Sequence, residues 1–150
     1  MRAPGSVVLL AFTLAAASPD PVAWKIEGAP AKAAKGGDRF TIKLVAEIEE
    51  GWHLYSMKEV ADGPVATRIW LAEGQPVQLA GPIRGDPPEM VEDASFNMEV
   101  EEYLGQAEFT LPLRATGWVS KLAVNVSYQS CNNRICLPPK TVKVEAALGK

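Results

Sequence analysis

The sequence is poorest in the residues on which metal and nucleophile chemistry depend. Its 150 residues include one histidine and two cysteines, so the four Cys/His ligands of a tetrahedral structural zinc site cannot be assembled. Charge of one sign is scarce in any one place: 15 Lys and Arg stand against 18 Asp and Glu, a formal net charge of -3 with no long run of either. That balance excludes a nucleic-acid partner of the polyanion type. Internal repeats and low-complexity linkers are absent, and helical periodicity is almost absent. Long hydrophobic runs are missing as well. The one sustained run, Val7 to Ala17, has about 11 residues against the ~20 that a membrane-spanning helix requires.

That run has another meaning. In "MRAPGSVVLLAFTLAAASPDP" it follows a basic Arg2 and ends in "AAAS", which is the layout of a secretory signal peptide with an Ala-x-Ala type cleavage site. The expected organisation is a signal peptide over 1–17 and one domain over 18–150, with no membrane span in the mature chain. Neither cysteine lies near the cleavage point, so lipid attachment is not indicated. Export would place both cysteines in an oxidising compartment, where a disulfide persists.

What is present is alternation. With 47% hydrophobic residues a chain of this length builds the core of one domain. In "RFTIKLVAEI" the residues Phe40, Ile42, Leu44, Ala46 and Ile48 share one face, the period of a half-buried strand. The pattern returns in "QAEFTLPL", "KLAVNVSY" and "TVKVEA", and more weakly in "TRIWLAEG" and "QPVQLAG". The 12 glycines and 12 prolines fall mostly between these runs, as turn signals. Six or seven short strands at this spacing imply an all-β chain, an antiparallel β-sandwich of immunoglobulin-like topology. The acidic stretch "EMVEDASFNMEVEE", Glu89 to Glu102, shows no clear strand pattern and is expected to be an exposed loop.

The two cysteines stand in "SYQSCNNRICLPPK". As a staple the bond would be weak: closing a loop of about six residues is worth only ~2 kcal/mol, against nearly 5 for a loop of about 100. Copper is a second possibility, since thiolate and thioether ligands suit it and Met57, Met90 and Met98 accompany His53. The third is reversible disulfide exchange. Alternation carried past Tyr128 puts Cys131 at a strand end, Asn132 and Asn133 tolerate the left-handed backbone of a turn, and Cys136 is expected to open the outgoing strand. A hairpin end of that kind brings two Cα atoms within the ~4.4–6.8 Å that a disulfide needs. Arg134, between them, would stabilise an attacking thiolate or would simply be solvated. No local motif supplies the base and oxyanion hole of a Cys-His hydrolase.

"YQSCNNRICLPP" resembles the signature of the N-terminal periplasmic domain of the thiol:disulfide interchange protein DsbD. There a Tyr-Gln pair, a cysteine, a short loop, a second cysteine and Pro-Pro follow in that order. "KGGDRFTIKLVAEIEEGWHLYS" is similar to that family's first core strand and the turn after it, and "AEFTLPL" to the strand before the cysteine hairpin; together the likeness covers residues 22 to 148. It implies an immunoglobulin-like electron carrier whose redox pair is Cys131 and Cys136, with Cys136 forming mixed disulfides and Cys131 resolving them. It implies that His53 and Tyr55 lie beside the pair. It also implies that the acidic stretch is a cap, with Phe96 over the disulfide and Glu92 and Asp93 beside it to raise a thiol pKa. Tyr103 is a rival for Phe96.

The implied partners are thioredoxin-fold proteins, including disulfide isomerases and cytochrome c maturation proteins, and a membrane thiol reductase. No cofactor and no metal are implied. The Cys-x4-Cys spacing is one residue shorter than the familiar form of the motif. The strand pattern runs out just before Lys150, so the electron donor is expected to be a separate chain and the protein a component of a protein-disulfide reductase. The other readings of the residues are an exported binding module with a structural disulfide, and the copper-binding sandwich.

Overall fold

The computed structural model describes residues 20–149; the signal peptide expected over 1–17 lies outside them. All the regular elements are antiparallel β-strands: β1 (Val22–Glu27), β2 (Arg39–Ile48), β3 (His53–Tyr55), β4 (Arg68–Leu71), β5 (Val77–Leu79), β6 (Arg84–Gly85), β7 (Glu89–Asp93), β8 (Met98–Tyr103), β9 (Gln106–Ala115), β10 (Lys121–Tyr128), β11 (Ser130–Cys131) and β12 (Lys140–Ala147). The fold is the expected immunoglobulin-like sandwich. Among the described residues the strands number twelve and not six or seven: β3, β6 and β11 are too short to carry an alternation that sequence can display, and β1, β7 and β8 carry no alternation that the sequence reading marked.

One sheet runs β1-β2-β9-β5 with β6 also on β9, and a second runs β12-β10-β4. Their inner faces fill one core. Ile42, Leu44, Ala46 and Ile48 of β2 and Ala107, Phe109, Leu111 and Leu113 of β9 meet Leu122, Val124 and Val126 of β10 and Val144 of β12. Most of these alternate with outward residues such as Thr41, Lys43, Glu47, Glu108, Thr110 and Asn125, which is how a period of two is converted into one dry face. Burying a side chain of this size contributes about 1.5–3 kcal/mol.

Pro112 sits within β9, where a missing N–H would normally cost a ladder bond. Its carbonyl accepts from Ala80 N at 2.8 Å, so the side on which its N–H is missing faces the interruption between β5 and β6. Gly85 of β6 lies against the same strand. A Cβ there would stand 2.6 Å from the Tyr103 hydroxyl and 3.1 Å from the Phe109 ring, so the aromatic pair closes on a position that only glycine fits.

Asp20 ties three strands at one end of the sandwich. Its carboxylate accepts from Val22 N at 2.9 Å and from the Tyr128 hydroxyl at 2.6 Å, and pairs with Lys140. Burial pushes this carboxyl up, but Lys140, Tyr128 and Val22 N outweigh it and hold the group below its ordinary value of 3.8. A depressed acid pKa stabilises the fold above the unfolded value, and that stability is lost as pH falls through the folded one. Asp20→Asn is therefore expected to lower unfolding stability by about 1–2 kcal/mol at neutral pH, with the difference fading as pH falls below the ordinary value of 3.8 and through the lower folded one. Denaturant melts of both proteins across pH 2–7 check this.

The third sheet, β11-β3-β8-β7, corrects the sequence reading. The acidic stretch is a paired β-hairpin, with Asp93 opposite Met98, Val91 opposite Val100 and Glu89 opposite Glu102. Its alternation is real but written partly in carboxylates, which a hydrophobic pattern does not register. Asn97 takes a left-handed φ of 52° in the turn between the strands, a conformation that asparagine tolerates.

Candidate functional site

Side chains on successive strand residues point to opposite faces, and the third sheet sorts its residues that way. Leu54 and Tyr103 enter the main core. Tyr55, Val100 and Cys131 form a second, smaller cluster, joined by Val91, Phe96, Met98 and Cys136. His53 and Tyr55, two apart on β3, share this second face, as the period of two requires. Cross-strand pairing sets Cys131 opposite His53 and Glu102 opposite Tyr55.

Cys131 and Cys136 are joined as a disulfide with Cα atoms 4.0 Å apart. The backbone explains the approach. Leu137 N donates to Ser130 O and Asn132 N to Ile135 O, each at 2.9 Å, so the cysteines occupy the narrow, non-hydrogen-bonded position of an antiparallel pair. The turn is closed by a side chain. Asn132 Oδ1 accepts from Arg134 N and Ile135 N, both at 2.8 Å, the Asx arrangement of a short turn. Among the described residues only Asp62 and Asn97 are non-glycine residues with positive φ, so the expected left-handed backbone at Asn132 and Asn133 is not used. Nor does Cys136 open the outgoing strand, which begins at Lys140: Pro138 and Pro139 bring no N–H to a ladder. Cys131 is 0% exposed, while Cys136 is partly exposed and Ile135 beside it is exposed.

Around the disulfide the polar groups interlock. The Tyr55 hydroxyl donates to Asp93 Oδ2 at 2.6 Å, and His53 Nε2 lies 3.1 Å from the same hydroxyl. Because the hydroxyl proton is directed to Asp93, Nε2 acts as the donor, which fixes the imidazole tautomer. His53 Nε2 is also 3.8 Å from Asp93 Oδ2 and 3.6 Å from Glu102 Oε2. Burial lowers the His53 pKa from its ordinary 6.5, against the opposing pull of Asp93. Burial raises Glu102, aided by the charges of Asp93 and Glu89. It likewise raises the Tyr55 hydroxyl, with the hydrogen bond to Asp93 next in importance. Each group is pushed toward its neutral form.

Asp93 also organises the turn above the cluster. Its Oδ1 accepts from Ser95 N at 2.7 Å and Phe96 N at 3.3 Å, and this holds the Phe96 ring edge-on to Tyr55 with centroids 6.1 Å apart. Tyr103 lies elsewhere, its ring edge-on to Phe109 and its hydroxyl donating to Asp86 O. The structure thus brings His53, Tyr55, Asp93 and Phe96 to the two cysteines. Glu92 is exposed, since it follows the opposite face of β7 from Asp93, and stands at the rim of a cavity of about 240 Å³ that His53, Asp93, Glu102 and Asn132 also line. Arg134 is exposed at the hairpin tip.

One contributor was not singled out in the sequence, Glu102, and Asn132 was marked for its backbone where it acts through its side chain. Glu102 was detectable: it stands two residues after Val100 in "MEVEEY" and shares its face. The thioether set is not gathered, since Met90 is exposed and Met57 packs against the main core.

The family model described as "Thiol:disulfide interchange protein DsbD, N-terminal" matches residues 25–148. Among solved structures, the reduced N-terminal domain of DsbD from Neisseria meningitidis is 18% identical, with a TM-score of 0.54 over 78% of this chain and 81% of that one. The N-terminal periplasmic domain of ScsB from Proteus mirabilis is 18% identical at a TM-score of 0.55, covering 77% of this chain and 44% of that one. The complex between the DsbD and PilB N-terminal domains of N. meningitidis matches at 13% identity and a TM-score of 0.54, over 89% and 88% of the two chains. At these identities the likeness to solved structures shows the fold. No curated protein sequence matches significantly.

Proposed function

The chain belongs to the family of the N-terminal domain of the thiol:disulfide interchange protein DsbD, and from that premise we propose that Cys131 and Cys136 are a reversible redox pair that passes electrons to oxidised partner proteins. The observation that carries this reading is the position of the disulfide. It sits at a hairpin tip outside the main core, with one sulfur's residue buried and the other's partly exposed.

In the reduced protein the Cys136 thiolate attacks a partner disulfide, forming a mixed disulfide and releasing one partner thiolate. The Cys131 thiolate then attacks Cys136 Sγ and releases the second. Two electrons and two protons pass to the partner, and the 131–136 bond is restored. Arg134 at the tip favours the attacking thiolate, while the neighbouring carboxylates and the Phe96 ring restrain exchange until a partner arrives.

The partners are thioredoxin-fold proteins, with a membrane thiol reductase as the source of electrons. Support comes from the relative that was captured with the PilB N-terminal domain. The site of action is the periplasm, reached through the signal peptide over 1–17 and supported by the periplasmic ScsB domain.

The test mixes the reduced protein with an oxidised thioredoxin-fold protein and follows thiol alkylation by mass. Transfer of two electrons per chain is expected. Persistence of the reduced dithiol beside an oxidised partner would sink the reading. Phe96→Ala should speed the reaction of the disulfide with a small thiol such as dithiothreitol, measured by stopped flow; an unchanged rate would remove the cap role.

A further inference from the structure

Glu102 of β8 lies beside the disulfide, across from Tyr55 and next to His53. It is 8% exposed, accepts no hydrogen bond from any of the described residues, and aims its Oε2 at His53 Nε2, 3.6 Å away. With no donor from the described residues, its carboxyl is left to the cavity it lines with His53 and Asp93, where a cation would be its partner. From this and the surrounding geometry we infer that His53, Asp93 and Glu102 form a site for one divalent cation of the zinc class, open to solvent through the cavity beside the Cys131–Cys136 hairpin.

The three ligand atoms lie within 4.8 Å of one another, and His53 Nε2 is 3.6 and 3.8 Å from the two carboxylate oxygens. Ligand bonds of about 2.0–2.2 Å in a tetrahedron place neighbouring ligand atoms ~3.4 Å apart, so both His53 distances are within a few tenths of an ångström of the bound geometry. The cation displaces the Glu102 proton to solvent, so that two carboxylates and a neutral imidazole balance its charge. Imidazole and carboxylate oxygen favour zinc and similar ions over the copper(I) that a thioether set would take.

The ligands are already oriented from behind. Ser95 N and Phe96 N hold Asp93 Oδ1, and the Tyr55 hydroxyl donates to Oδ2, as the outer partners of metal ligands do. Binding moves the ring proton of His53 from Nε2 to Nδ1 without changing its charge. The fourth position faces the cavity of about 240 Å³, which supplies a path of entry and room for water. The ion joins β3, β7 and β8 beneath the Phe96 turn.

The test uses the full chain with its disulfide intact, so that no thiolate competes and the outcome does not depend on disulfide exchange. After removal of bound metal with a chelator, the protein is titrated calorimetrically with Zn²⁺, and Co²⁺ is added separately to read its visible absorption. One Zn²⁺ per chain is expected, with the intense visible bands of four-coordinate Co²⁺. Glu102→Gln and His53→Gln should each weaken binding by at least ~10-fold, while Glu99→Gln on the exposed face of β8 should not. Zn²⁺ should also raise the melting temperature of the parent chain and leave that of Glu102→Gln unmoved. Absence of binding, binding that both variants retain, or the weak spectrum of six-coordinate Co²⁺ would each overturn the site.

Discussion

Cys131→Ser is expected to leave a protein that forms mixed disulfides through Cys136 and cannot resolve them, whereas Cys136→Ser forms none. The asymmetry follows from the hairpin. Cys136 is partly exposed at the tip, next to exposed Ile135, where a partner's sulfur can approach in line with its own. Cys131 is packed beneath Tyr55 and Val100 and reaches only Cys136. Exchange turnover should be lost in both variants, but the trapped species should accumulate in Cys131→Ser alone, as read by non-reducing gels and intact mass. Neither substitution should unfold the domain: the closed loop of about six residues contributes only ~2 kcal/mol to a total of about 5–15. Trapping through Cys131, or in both variants equally, would reverse the assignment of roles.

The largest loss of stability is expected elsewhere, at Phe109→Ala, with a cost of about 3–5 kcal/mol. Phe109 is fully buried in the central strand β9. Its ring lies 6.1 Å from that of Trp24 on β1 and edge-on to Tyr103 at 5.6 Å, and Gly85 closes over it. Its removal opens a cavity that three strands would have to move to fill, and rigid sheets fill such cavities only partly. The loss should appear as a lower denaturant midpoint at unchanged slope. A cost below ~1 kcal/mol would mean that the two sheets do not depend on this contact. Since Tyr103 adjoins Glu102 on β8, the same variant should also loosen the third sheet, detectable as faster amide exchange in β3 and β8.

The sandwich was legible because its long strands obey a strict period of two. β2 and β10 occupy the residues their patterns marked, and β9 extends two residues past its own. The third sheet was not legible, for a physical reason. Its inner face mixes Asp93, Glu102, His53 and Tyr55 with Val91, Met98 and Val100, and a search for hydrophobic alternation reads such mixed strands as solvated loops. Counting only Cys and His as metal ligands left out the carboxylates that the hairpin brings to His53. The surroundings of the cysteines came from family resemblance, and Glu102 lay outside the motifs that carry it. The role imagined for the two asparagines failed because Asn132 closes the turn with its side-chain oxygen, which spares the backbone an unusual φ.

The central claim is that the 131–136 bond is made and broken in use and is not a fixture of the fold. Equilibrating the protein in graded reduced and oxidised glutathione or dithiothreitol, trapping with an alkylating agent and counting thiols by mass gives its reduction potential directly. A redox pair that exchanges with thioredoxin-fold proteins must fall among their potentials, about -180 to -270 mV. A value below about -300 mV, the range of inert structural disulfides, would contradict the account and leave a binding module with a fixed bond.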